Sequence, residues 1–355
     1  MTGWHVRAVL LPDGDVVEER WLTAGGWSQV PVPGAEDLPG RFALPGLVDA
    51  HSHVSFTSGA GGPTPLDRDG AEANRARWAR DGVGLVRDAG GDPGVVLTLP
   101  SSPGRPRLVA AGRHLAPAGM YFESVHLPVE PDSLIETALS ELAAGARWVK
   151  LVADFSSTVA RQAGEPTEPE PSYDLALMGR LVTAVHRAGA RVAAHVTTAL
   201  VADMVRLGID SVEHGTALDD AVLSEMVRRG TAWTPTLCAV LSAPPDAPEE
   251  RRRLVAQRRE RLHWLLPKAV AAGIPVLTGS DVVGSVPREV ALFVECGVET
   301  GDALRAATTT ATAFLSADLP DGPPPAVVTY DADPRNDPEV LMRPTAVALD
   351  GMRVR

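Results

Sequence analysis

Residues 43–53 read Ala43-Leu-Pro-Gly-Leu-Val-Asp-Ala-His-Ser-His53. An apolar run rich in β-formers ends in two histidines spaced i, i+2. Alternate side chains of a strand share a face, so His51 and His53 project together from one strand end. Two imidazoles converging on one point is what a metal ion needs. His-x-His also occurs at ordinary polar strand ends, so the residues that follow decide its meaning.

Working outward, apolar runs and turn signals alternate short strands with Ala/Leu/Arg-rich helices. Strands are predicted at 44–51, 82–88, 107–112, 147–152, 190–195, 209–214, 231–236 and 274–280, and helices at 132–145, 174–189, 199–207, 219–230 and 249–272. Ala188-Gly189-Ala190, Leu207-Gly208-Ile209, Arg229-Gly230-Thr231 and Ala272-Gly273-Ile274 each place a glycine where a helix stops before a strand. Eight β units in alternation predict an α/β fold, a (β/α)8 TIM barrel over residues 43–321. Residues 1–42 and 322–355 read as short antiparallel strands with Gly/Pro turns. They are expected to pair as a small composite β-sandwich domain beside the barrel.

The 355 residues accommodate a barrel of roughly 250 with a smaller appendage. A hydrophobic content of 45% with 22% charged residues describes a globular, enzyme-like chain. The net charge of −12 argues against a nucleic-acid surface, which needs a basic stripe. No apolar run approaches the roughly 18 residues of a membrane span. Residues 1–10 lack the basic and apolar regions of a signal peptide. Cys238 and Cys296 are too few for a disulfide framework and fit a reducing cytoplasm. The expected partner is a small-molecule substrate, with no nucleic acid and no membrane; a homo-oligomer is left open.

Lys150 and Lys268 are the only lysines; every other basic side chain is arginine. Arginine and lysine serve equally well on a solvated face, so a lysine kept in such a chain points to chemistry that a guanidinium cannot perform. On the strand map, His51 and His53 end the first strand and Lys150 lies in the fourth. His195 ends the fifth, His214 the sixth and Asp281 the eighth. All six fall at or near C-terminal strand ends, the face on which barrel enzymes build their sites.

With those positions assigned, the chain resembles the metal-dependent amidohydrolase superfamily. The motifs are Leu-Pro-Gly-Leu-Val-Asp-Ala-His-Ser-His, Val-Lys-Leu-Val, Ala-Ala-His, Val-Glu-His-Gly and Thr-Gly-Ser-Asp. It looks closest to the imidazolonepropionase-like and prolidase-like branch, to which Asp81–Gly91 and Ala303–Thr308 are also similar. The resemblance covers about residues 43–315. It implies two divalent metal ions, usually Zn2+, with His51, His53 and Asp281 holding the first and His195 and His214 the second. Lys150, as a carbamate formed with CO2, would bridge them. It further implies a hydroxide shared by the metals, with Asp281 as catalytic proton acceptor passing the proton to the leaving nitrogen.

The activity implied is cleavage of an amide or peptide-like C–N bond in a dipeptide or N-acyl amino acid. A mononuclear cyclic-amide hydrolase or deaminase shares the histidines and aspartate but does not need Lys150. A lactonase or organophosphate hydrolase would use the same centre, and a non-catalytic metal scaffold would be expected to have lost a ligand.

Long connections at 54–75, 153–173 and 237–250 are expected to roof the pocket. Arg161 and Tyr173 within them, and His126 after the third strand, are candidate substrate-binding residues. His114 and His126 read as structural residues, although both lie after the third strand, where they could face the site. Asp88 ends the second strand as a supporting or loop-bonding carboxylate, and Glu213 is expected to point away from the barrel axis. His5, His186 and His263 read as packing or surface residues. Pro117-Ala-Gly-Met-Tyr-Phe122 stands where many relatives carry a Gly-Gly-His-like sequence. Ala317–Pro325 replaces the longer hairpin expected there.

Overall fold

The computed structural model describes residues 3–59, 62–159, 168–243 and 246–355; Arg161 lies outside them. Seven barrel strands run Leu47–Ser52, Val83–Asp88, Arg107–Ala110 (resumed at His114–Leu115), Trp148–Val152, Arg191–Val196, Ser211–His214 and Ala232–Thr234. All neighbouring pairs are parallel. The third strand pairs first with the second, through Arg107–Ala110, then with the fourth, where His114 registers with Lys150. The eighth position is taken by residues around 276–281. Leu277 N donates to the Trp233 carbonyl at 2.9 Å and Ala50 N to the Thr278 carbonyl at 2.8 Å. Parallel bridges at Trp233–Val276 and Ser52–Asp281 complete the closure.

Every residue of Val83–Asp88 and of Trp148–Val152 is buried. Parallel strands covered on both faces must be so, and this is why they read as continuous apolar runs. Inside the barrel, Val48, Ala50, Leu85, Val109, Trp148, Ala193, Ala232 and Leu277 form one apolar cluster. The small alanines leave room for Trp148, which lies between the guanidinium groups of Arg87 and Arg191, 4.5 and 4.2 Å from its ring centre. With a side-chain period of two, the next inward positions beyond Leu85, Trp148 and Ala193 are Arg87, Lys150 and His195. A polar layer therefore stands directly on an apolar floor.

Helices cover the outside. Leu175–Arg187 buries Leu177, Met178, Leu181, Val182 and Val185, spaced to form one stripe, and Asp174 caps it by accepting from Leu177 N. Burying each such side chain contributes roughly 1.5–3 kcal/mol. Val201–Leu207 and Asp220–Arg229 stop at Gly208 and Gly230, whose φ of 93° and 71° suit glycine.

Residues 54–75 are not simply an open loop. Phe56–Gly59 pairs antiparallel with Gly62–Pro65, and a helix spans Arg68–Arg80, capped by Asp67. Its sequence, RDGAEANRARWAR, is too polar to announce a buried face, although Ala71, Arg75, Trp78 and Ala79 are buried. Val286–Glu295, Thr300–Ala306 and Thr309–Leu315 are further helices that the strand-and-helix map did not include.

The two ends of the chain meet in one sheet. Ala326–Tyr330 joins Ala346–Leu349 on one side and Phe42–Pro45 on the other, and the pairing continues through Trp4–Leu10 to Val17–Thr23 and Gly26–Ser28. The hydrogen bonding thus gives a single eight-stranded sheet and does not divide the strands into the two sheets of the expected sandwich. Trp4, Val6, Leu22, Leu38, Val327 and Ala348 form its apolar cluster.

Candidate metal centre

The C-terminal rim of the barrel gathers four imidazoles, one lysine and one aspartate. Ligand atoms of His51, His214 and Asp281 lie within 4.8 Å of one another. His53 Nε2 stands 3.6 Å from Asp281 Oδ1, and the rings of His195 and His214 are 4.4 Å apart. His214 is as near to His51, at 5.1 Å between ring centres, as His53 is at 5.3 Å. The grouping of His51, His214 and Asp281 runs across the two ligand sets inferred from the resemblance, so all these residues share one compact site.

Backbone irregularity brings them together. The pairing of the first and second strands shifts between Asp49 and Ser52, letting His51 follow Ala50 inward. At the sixth strand the expectation for Glu213 is overturned. His214 adopts a left-handed conformation with φ of 67°, followed by Gly215 at 63°. Strict alternation ends there, and two consecutive side chains reach the interior. Glu213 is fully buried and accepts from His51 Nδ1, from Arg87 Nη2 at 2.6 Å and from Ser211 Oγ at 2.5 Å.

Three histidines have one ring nitrogen fixed by the protein. His51 Nδ1 donates to Glu213, and His53 Nδ1 donates to the Gly90 carbonyl at 2.7 Å. Thr236 Oγ1 donates to the Pro235 carbonyl, so it accepts from His214 Nδ1, at 2.6 Å. In each neutral ring the proton therefore resides on Nδ1 and the Nε2 lone pair is left for a ligand. Burial pushes the pKa of His51 and His214 well below the ordinary imidazole value and that of His195 down to about 3, keeping the rings neutral as coordination requires.

Other carboxylates hold the frame. Asp49 accepts from Ser280 N and Oγ at 3.0 and 2.5 Å, tying the first strand to the eighth. Asp88 accepts from Val54 N at 2.7 Å and Gly90 N at 3.1 Å, and so fixes the carbonyl that His53 uses. Asp154 accepts from the amides and hydroxyls of Thr197 and Thr198, just beyond His195. The roles of Asp49, Asp154, Glu213 and Thr236 were missed from sequence. For Asp49 and Glu213 the signal present was adjacency to a motif histidine.

Among the buried atoms with no partner among the described residues are His51 Nε2, His195 Nδ1 and Lys150 Nζ, and also Arg87 Nη1 and both ring nitrogens of His114. Leaving buried polar groups unpaired costs about 1–3 kcal/mol each, so a set this dense calls for a bound group. Imidazole, carboxylate and a lysine amine able to become a carbamate suit Zn2+ and neighbouring divalent ions. The residues present fit a metal centre.

The predicted substrate residues fare differently. Tyr173 packs in the core and its hydroxyl donates to the Val129 carbonyl at 2.7 Å. The ring of buried His126 meets the Ala116 carbonyl through Nε2 at 2.9 Å. The structure brings neither among the candidate ligands. Beside Asp281 and His53 lies a cavity of about 300 Å3, lined also by Phe56, Asn74, Arg77 and Trp78. A larger one, about 870 Å3, lies between the small sheet and the barrel and contains no histidine.

A parallel barrel with histidines, a lysine and an aspartate on its C-terminal rim defines the class of barrel hydrolases that work with divalent metals. A profile of the amidohydrolase family matches residues 42–319, and the chain belongs to that family. It is accordingly a hydrolase acting on carbon–nitrogen bonds. An uncharacterized protein of Mycobacterium tuberculosis is 34% identical over 361 residues, covering 98% of this chain and 94% of its own. Among solved structures, a Xaa-Pro dipeptidase with bound methionine has a TM-score of 0.76 at 21% identity, covering 99% of each chain. A prolidase complexed with N-methylphosphonate-L-proline has 0.75 at 23%, also covering 99% of each. The ochratoxinase of A. niger has 0.76 at 18%, covering 99% of this chain and 96% of that one. At these identities the structures share the fold.

Proposed function

We propose that the chain is a binuclear metal-dependent hydrolase that cleaves an amide or peptide-like C–N bond in a dipeptide or N-acyl amino acid. The observation that carries this reading is the Lys150 amine, fully buried, unpaired and surrounded by neutral histidines. Burial holds its pKa down at about 8, so roughly a tenth is neutral at pH 7, far more than for a solvated lysine. A neutral amine adds to CO2: an N–C bond forms, one C–O π pair becomes carboxylate charge, and the nitrogen releases a proton to solvent. The product offers two anionic oxygens where the amine offered one lone pair.

In this reading His51, His53 and Asp281 would hold one cation and His195 and His214 the other, with carbamylated Lys150 offering an anionic oxygen to each. Zn2+ is the expected ion. When bound, the metals supply Lewis acidity and lower the pKa of water. The remaining work falls to the chain. Asp281, partly exposed at the cavity wall, takes the proton from the attacking water and delivers it to the leaving nitrogen. Phe56, Tyr121 and Phe155 pack around His53, His114 and His195 and exclude bulk water. Arg77, whose Nη2 donates to Asn74 Oδ1 at 3.3 Å, presents its remaining guanidinium donors to the cavity beside Asp281, where they suit the free carboxylate of such a substrate.

The test is metal content per chain after exhaustive desalting, together with hydrolysis of a panel of dipeptides, N-acyl amino acids and lactones. Two equivalents with turnover of the amides support the proposal. One equivalent that zinc and bicarbonate cannot raise would overturn the binuclear reading.

A further inference from the structure

We propose that His114 is a positioning residue for Lys150, donating an imidazole N–H to the carbamate that Lys150 would carry. This rests on the binuclear reading above.

His114 is the one imidazole among the described residues with both ring nitrogens buried and unpartnered. It is 1% exposed, so water does not satisfy it from bulk. Its backbone registers with that of Lys150 in the parallel pairing of the third and fourth strands. Register partners send their side chains to the same face, so the two unsatisfied groups enter the same part of the interior.

The ring is held by apolar contacts alone. It stacks on Tyr121 at 4.4 Å and on Phe56 at 5.7 Å, and its centre is 5.2 Å from that of His53. Room for it comes from Gly90, where a Cβ would approach Nε2 to 2.8 Å. Gly90 carries φ of 118° and its carbonyl fixes His53. One glycine thus admits His114 and orients a candidate ligand. Among the described residues neither ring nitrogen has a protein partner, which leaves both free for a group bound in the interior.

A carbamate supplies what is missing. Each of its two oxygens has two in-plane lone pairs, and holding two cations uses one on each. The rest face a dry interior, where an unmet acceptor on a charged group is costly. Arg87 is turned toward Glu213 through Nη2 and toward the Ala50 carbonyl through Nε, leaving Nη1 unpartnered, and the Nδ1–H groups of His51, His53 and His214 are committed as described. Of the unpartnered donors, His114 is the one on the strand in register with Lys150.

The experiment compares the full-length protein with His114→Phe, which keeps the aromatic stack and removes both nitrogens, and His114→Gln, which restores a donor. Each is stripped of metal and reloaded with zinc over a bicarbonate series. Metal equivalents are counted, and the carbamate carbon is observed by 13C NMR with labelled bicarbonate. Expected is a wild-type carbamate signal with two equivalents. In His114→Phe the bicarbonate needed for the second equivalent rises about tenfold or more and the signal weakens, and His114→Gln recovers most of both.

Wild-type bicarbonate dependence and signal in His114→Phe overturns the role of His114 while leaving the binuclear reading intact. Loss of a metal from His114→Phe with the carbamate signal retained makes His114 a metal ligand and equally overturns it. No carbamate in the wild type removes the binuclear reading and this proposal with it.

Discussion

The Glu213 carboxylate on the sixth strand accepts a hydrogen bond from Nδ1 of His51 on the first, across the interior of the barrel, while accepting another from Arg87 on the second. One buried anion therefore sets the tautomer of a candidate metal ligand and neutralises a buried cation. Glu213→Gln keeps an acceptor but no charge, leaving Arg87 uncompensated and His51 free to turn. Metal affinity is expected to fall roughly 10–100-fold. Competition with a chelator of known affinity measures it; an unchanged affinity would show that Glu213 only buffers Arg87.

Lys150→Ala removes the sole lysine of the interior. The expected outcome is loss of one metal equivalent and nearly all turnover, with bicarbonate unable to restore either. Full retention of both would sink the carbamate.

Arg77 projects from the end of the helix Arg68–Arg80 into the cavity shared by His53 and Asp281. Arg77→Gln is expected to raise KM about tenfold for a substrate with a free carboxylate, about 1.4 kcal/mol of lost binding, and to leave kcat within about twofold. The same substrate with its carboxylate amidated should show no difference between the two proteins. Steady-state kinetics on the pair decides it.

Glu289 supplies a pH dependence away from the metal centre. Its carboxyl is fully buried, accepts from Leu237 N and Cys238 N at 3.0 and 2.5 Å, and is pushed by burial from 4.5 up to about 8. The Cys238 and Cys296 thiols, the Asp49 carboxyl and the guanidinium of Arg288 are the other titratable groups around it. The folded protein binds this proton more tightly than the unfolded chain does. The contribution to stability is therefore complete below about pH 4.5 and is lost as pH rises through about 8. Urea midpoints at pH 5 and pH 8.5 should fall by less in Glu289→Gln than in the wild type; equal slopes would place the titration elsewhere.

Much of this was legible in the sequence, for a physical reason. Parallel strands buried on both faces, such as Val83–Asp88, are short, mostly apolar runs that their length and flanking glycines mark as strands, and Gly208 and Gly230 mark helix ends because few other residues adopt their backbone angles. The histidines were legible because they terminate those runs. Glu213 was not, because the alternation rule holds only while the strand is regular and His214 breaks it in a single residue. The helix Arg68–Arg80 was hidden by its polarity. Tyr173 and His126 look like ligand-binding residues by type, yet the backbone carbonyls of Val129 and Ala116 claim them, and carbonyl positions cannot be read from a sequence. His114 carried no motif at all; its interest lies in what it fails to touch.

The seam between the two ends of the chain has a consequence for synthesis. Thr329 reaches back to the Pro39 carbonyl across 290 residues of sequence. At about 5–20 residues per second, the strand Phe42–Pro45 waits roughly 15–60 s after it is made for its neighbour Ala326–Tyr330 to be translated. Throughout that interval the nascent chain exposes an open strand edge next to the segment that will carry His51 and His53. Residues 326–355 act as a latch: the sheet closes only once they have been made, and a ribosome that stalls before residue 326 leaves a chain with an adhesive edge.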